Sequence, residues 1–202
     1  MKELIKYFKK HGYARMKELK EQSFHTGDIS RLLKEGIIFK VKPGLYRINE
    51  FQKGVDVKES YLDICQAVPE GVLYLISALD FHNLTTFNPM GIYIAIPHNK
   101  KAPKIFYPPV KFFYLYENFY NRGIEKIQTK YGNIRVYDRE KTLCDMFRYR
   151  NKLGEDLAIE GLKNYLNSSD ANIEKLINYA EIYKAKTILM PYLKTALEYK
   201  WE

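Results

Sequence analysis

HTGDISRLLKEGIIFKVKPGLYRI, His25 to Ile48, is the stretch whose reading decides the fold of this chain. Ile29, Leu32 and Leu33 fall at i, i+3 and i+4, one apolar stripe of a helix, while Gly27, Ser30, Arg31 and Lys34 fall on the other side. Thr26 stands where its hydroxyl would cap free backbone N–H groups, Asp28 sits in the first turn where the helix dipole favours an anion, and Gly36 closes the helix. The residues that follow are β-formers flanking Pro43-Gly44, which predicts a tight hairpin. Upstream, KELIKYFKKHG spaces Leu4, Ile5, Tyr7 and Phe8 as a helix ending at Gly12, and MKELKEQ sets Met16 and Leu19 on one side of a second, shorter one. Three short helices and a basic hairpin within about fifty residues predict a winged helix-turn-helix. The third helix is then the recognition helix and Lys40, Lys42 and Arg47 lie in the wing.

Charge points the same way. Residues 1–53 hold 13 Lys and Arg against 6 Asp and Glu, a net +7, out of +9 for the whole chain. A basic head on a nearly neutral body suits a polyanion, because each phosphate neutralised by Lys or Arg releases condensed counterions. The same excess is also that of a solvated basic face, and a three-helix module with a hairpin also serves protein contact. The small and basic side chains on the free face of the third helix favour nucleic acid.

Past Phe51, QKGVDVKES reads as a short linker pivoting on Gly54, which divides the chain into a head, 1–53, and a body, 54–202. YLDICQAV and VLYLISALDFHNL read as helices. Ile92 to Ile96, Val110 to Tyr116, IEKIQTKY and IRVY read as strands, the last two joined across Gly132-Asn133. From Asp138, an N-cap, the pattern is helical to the end. The class expected is α+β: the winged head, then a larger mixed domain with a sheet of four or five strands and a helical C-terminus.

Catalytic patterns are missing. His11, His25, His82 and His98 are not paired at helical spacing with other ligands, so no metal site or cofactor is expected. Ser77 lacks the Gly-x-Ser-x-Gly elbow, and no phosphate loop or nucleotidyltransferase carboxylate pair occurs. Acid-x-Lys triplets such as Asp56-Val57-Lys58 leave a nuclease as the harder enzyme to set aside, but none follows a strand carrying a second acid. Cys65 and Cys144 sit in apolar helical contexts and read as buried thiols. No apolar run approaches the roughly 20 residues that span a bilayer, and the charged amphipathic start is unlike a secretory signal, so the expected location is the cytoplasm. One further basic stretch, HNKKAPKIFYPP, sets Lys100, Lys101 and Lys104 in a proline-limited loop, either an ordinary exposed loop or a secondary contact.

These stretches carry a resemblance. ARMKELKEQSFHTGDISRLLKEGIIFKVKPGLYRI, together with GVLYLISALDFHNL, IYIAIP and IRVYDREKTLCDMFRYR, resembles the AbiEi family of antitoxins and autoregulators of two-gene abortive-infection systems. The resemblance implies a non-enzymatic protein whose head binds double-stranded DNA at inverted repeats of its own operator and represses the operon. It implies a second domain that counters a partner toxin similar to nucleotidyltransferases. By matching positions it carries DNA contact to Arg15, Lys17, Thr26, Ser30, Arg31, Lys34, Lys40, Lys42 and Arg47. Two readings outside it stand beside this one: a stand-alone winged-helix regulator whose body senses a ligand or self-associates, and a DNA nuclease.

Overall fold

The computed structural model describes residues 1–49, 59–105 and 107–199. The head comprises α1 (Lys2–His11), β1 (Tyr13–Arg15), α2 (Met16–Glu21), α3 (Thr26–Lys34), β2 (Ile38–Lys42) and β3 (Leu45–Ile48). Its strands form an antiparallel sheet in the order β1-β3-β2. Leu4, Phe8, Leu19, Ile29, Leu32 and Ile38 are buried together on the helical side of that sheet, each such side chain contributing roughly 1.5–3 kcal/mol. The expected cap at the start of α3 is not made: the helix begins at Thr26 itself, and the side chain of His25, in the cap position, accepts no backbone N–H. At the other end Gly36, at φ +68°, sends its N–H to Leu33 O while Ile37 N–H reaches Leu32 O. That left-handed closure satisfies the last carbonyls and turns the chain into β2.

The body comprises α4 (Glu59–Ala67), β4 (Val72–Leu73), α5 (Ile76–Phe81), β5 (Ile92–Pro97), β6 (Val110–Leu115), α6 (Glu117–Tyr120), β7 (Ile124–Thr129) and β8 (Gly132–Tyr137). The helices α7 (Arg139–Leu153), α8 (Glu155–Leu166), α9 (Ile173–Ile182) and α10 (Lys186–Tyr199) complete it. Its mixed sheet runs β6-β5-β4-β8-β7, with β5–β6 and β4–β8 parallel and the other two pairs antiparallel. Side chains alternate along β5 with the period of two that a sheet covered on both faces needs. Ile92, Ile94 and Ile96 join α4 in one core, and Ala95 joins α5, α7, α8 and α9 in the other. VLYLISALDFHNL, expected as one helix, divides instead. Val72 and Leu73 hydrogen-bond into the sheet between β5 and β8, Leu75 turns the chain at φ +49°, and the helix is only Ile76–Phe81. The linker read around Gly54 lies outside the described residues.

Helix α7 starts at the expected cap, Asp138, whose side chain accepts from Lys141 N–H. Its first half carries charge into the core: Lys141 Nζ lies 2.7 Å from Asp145, and Arg148 reaches the same carboxylate at 2.9 Å. The Lys141 ammonium also faces the rings of Tyr137 and Tyr183 at 4.4 and 4.1 Å, which offsets part of its lost hydration. Cys65 and Cys144 are buried and unlinked, and burial pushes the Cys65 thiol up to about 11. Among the described residues no helix is long and apolar enough to cross a membrane.

Candidate nucleic-acid interface

The packing of α3 decides what it can offer. Ile29 and Leu32 are locked into the head core, so Thr26, Gly27, Ser30, Arg31 and Lys34 are left exposed along the opposite face. Arg31 is pre-positioned: its Nε donates to Glu35 Oε1 at 2.9 Å, an exposed i,i+4 pair of the kind worth about 0.3–0.5 kcal/mol and so readily exchanged. Lys17, on α2, is exposed and 3.9 Å from Glu21. Lys40 is exposed on β2, beside Phe39, which is itself 40% exposed beneath the Arg47 guanidinium.

Arg15, Lys42 and Arg47 are placed differently from the open wing expected. All three reach α4. Arg47 is only 12% exposed, with Nε on Asp63 at 3.1 Å and Nη2 3.6 Å from Glu59. Asp63, buried, also accepts from the Tyr13 hydroxyl at 2.7 Å. Arg15 Nη2 donates to Gln66 O at 3.2 Å and Lys42 Nζ to Ala67 O. The physical reason is that α4 ends there with unbonded carbonyls and the negative end of its dipole, which attract cations. Burial, and then the neighbouring Arg15, hold the Lys42 ammonium below its usual range. Burial pushes the Asp63 carboxyl upward against the opposing pull of Tyr13 and Arg47. Tyr13, Val41 and Leu45 complete the junction by packing with Tyr61, Ile64 and Val68 in the core under the body's sheet. Sequence reasoning missed Asp63 and Gln66, since nothing local marks α4 as the partner of the hairpin.

The loop after β5 places Lys100 3.2 Å from Glu70, with Lys101 and Lys104 exposed. Ala102 and Ile105, each next to one of these lysines in the chain, pack onto the core, so the loop is seated on the body by its apolar residues.

A small basic α+β unit with one open polar helix face is thus clasped to a larger α+β part of the chain. Residues 2–49 match the family described as "Transcriptional regulator, AbiEi antitoxin", so the resemblance read from the sequence holds over the head. A search of curated proteins finds no match. Among solved structures, the chain is similar to the crystal structure of the RV2827C protein from Mycobacterium tuberculosis, with a TM-score of 0.59 and 12% identity. The similarity covers 91% of this chain and 75% of that one. At that identity the likeness is one of fold.

Proposed function

We propose that the chain is a DNA-binding antitoxin and autorepressor whose head is a winged helix-turn-helix. The exposed face of α3 carries this reading: Thr26, Ser30, Arg31 and Lys34 stand free of the core on a helix whose other side is fully anchored. In this reading Arg31 leaves Glu35 to read a guanine edge in the major groove, because its fork matches two acceptors, while Lys17 and Lys40 meet phosphates as point charges. Arg15, Lys42 and Arg47 have a different assignment from the one the family positions imply. Their donors are engaged by α4, so they fix the angle between head and body, and any contact with DNA has to displace α4 acceptors first. The body is the counter-toxin part, and its partner is a nucleotidyltransferase-like toxin encoded beside it.

The test is a pair of titrations of the full chain, on a duplex from upstream of its own gene and on a random duplex. Arg31→Ala should weaken operator binding by about 1–3 kcal/mol and relax base preference, whereas Lys40→Ala should weaken both duplexes alike and flatten the salt slope by about one. Binding that ignores salt, or Arg31→Ala binding both duplexes like the wild type, would overturn the assignment.

A further inference from the structure

Beside the C-terminus of α4 the body holds a cavity of about 540 Å³, bounded by Cys65, Gln66, Lys126, Gly132, Asn133 and Arg135. Two of its walls are cations placed opposite each other. Lys126 on β7 and Arg135 on β8 are directly paired across the strands, an arrangement that is destabilising for like charges unless something negative lies between them. Among the described residues neither forms an ion pair with a carboxylate, although carboxylates neutralise Arg139, Lys141 and Lys175 elsewhere in the body.

Arg135 is also held in place with one donor left over. Its Nη1 is bonded to Pro69 O at 3.2 Å and its guanidinium lies 5.7 Å from the Tyr120 ring, so the fork cannot swing freely. Its Nε is buried and has no hydrogen-bond partner among the described residues. An orphaned buried donor of this kind costs about 1–3 kcal/mol and calls for an acceptor. The floor is shaped for close approach as well. Gly132 has φ +133°, and a Cβ there would lie 2.0 Å from Gln66 Nε2, so only glycine lets that amide lie against the backbone at the cavity wall. Gln66 and Asn133 add neutral amide donors to the two cations.

We infer that this cavity is a binding site for a phosphate group. A guanidinium, an ammonium and two amides lining one cavity, with no carboxylate among its described lining residues, match a tetrahedral oxyanion. The phosphate has two sources, a backbone phosphate of a duplex lying on the head or a free phosphate. Only the first rests on the function proposed above. The cavity adjoins the head through Gln66, whose carbonyl accepts from Arg15.

The experiment uses the full chain, Lys126→Gln and Arg135→Gln. Lys126 is exposed, so its replacement leaves the fold intact even if Arg135→Gln does not fold. In the first arm the thermal midpoint is followed with inorganic phosphate against chloride at equal ionic strength. The wild type should rise with phosphate, as for any ligand that binds the native state, and Lys126→Gln should lose at least half of that rise. In the second arm duplex affinity is followed against salt. A slope reduced by about 0.9 in Lys126→Gln assigns the phosphate to DNA, and an unchanged slope with a lost thermal shift assigns it to a free anion. No phosphate shift in the wild type together with an unchanged slope in Lys126→Gln would overturn the inference, as would a shift that the variant retains in full. Should the wild type bind no duplex, the function proposed above fails while the first arm still decides this site.

Discussion

Asp63 takes the Tyr13 hydroxyl and the Arg47 guanidinium of the head into one buried carboxylate. Asp63→Ala would leave Arg47, only 12% exposed, without this carboxylate, with Glu59 at 3.6 Å and the Ile48 carbonyl among the partners it keeps. Removing one member of a buried pair costs about 3–5 kcal/mol, and those residual partners place this case toward the low end. Tyr13→Phe removes the hydroxyl's bond to Asp63, a loss of about 0.5–1.5 kcal/mol. Urea unfolding of the full chain measures both. Two equal and small shifts would mean that Asp63 is not the group holding the junction together. None of this was legible in the sequence, where Asp63 is one acidic residue inside an apolar helical run and its partners lie 50 and 16 residues away.

Three helices of the body are tied down by carboxylates that the fold keeps ionised. Burial alone would push the Glu140 carboxyl up, but hydrogen bonds from Lys175 at 2.8 Å and Tyr165 at 2.7 Å outweigh it and hold it below its usual range. Glu160 on α8 is likewise held low, against its burial, by the hydroxyls of Thr85 and Thr86 and by Thr86 N–H. Asp170 is drawn down to about 2, chiefly by its two-point bond to Arg139. A carboxyl with a depressed native pKa contributes stability that is present above its unfolded value, near 4, and is lost as pH falls through the native one. Asp63, pushed upward by burial, works weakly in the opposite sense. The urea midpoint should therefore fall between pH 5 and pH 2, and Glu140→Gln should both lower it at pH 7 and flatten that acid limb. A wild-type midpoint that holds steady across this range would show these bonds to be energetically idle. At this scale periodicity reads well where one face is apolar, as in α1, α3 and the start of α7 at Asp138. It fails at β4, because two apolar residues running into an apolar helix carry no period, and only pairing with Ile94 and Ala95 makes them a strand.

For the whole chain, the sequence makes legible a basic head and a larger mixed body, and the free face of α3 follows from the spacing of Ile29, Leu32 and Leu33. The orientation of the β2–β3 hairpin does not follow, because Lys42 answers to a carbonyl at the end of α4 and Arg47 to carboxylates along it, partners that nothing local in the sequence marks. If head and body have separate roles, protection should outlive DNA binding. In cells making the neighbouring toxin from an independent promoter, full-length Arg31→Ala/Lys34→Ala should restore growth while no longer repressing the operon. Loss of rescue together with repression, in a variant that still folds, would tie both roles to one surface.

The clasp of α4 on the β2–β3 hairpin bears finally on how such a chain can be re-engineered. A head lifted out whole would carry Tyr13, Val41 and Leu45 as bare apolar surface and three cations stripped of their acceptors, while α4 would lose its cover. No cut between the parts leaves both edges clean, so the head is not an interchangeable cassette. On the function proposed above, retargeting to a new operator is better sought by exchanging Thr26, Ser30, Arg31 and Lys34 in place, on a scaffold left otherwise whole.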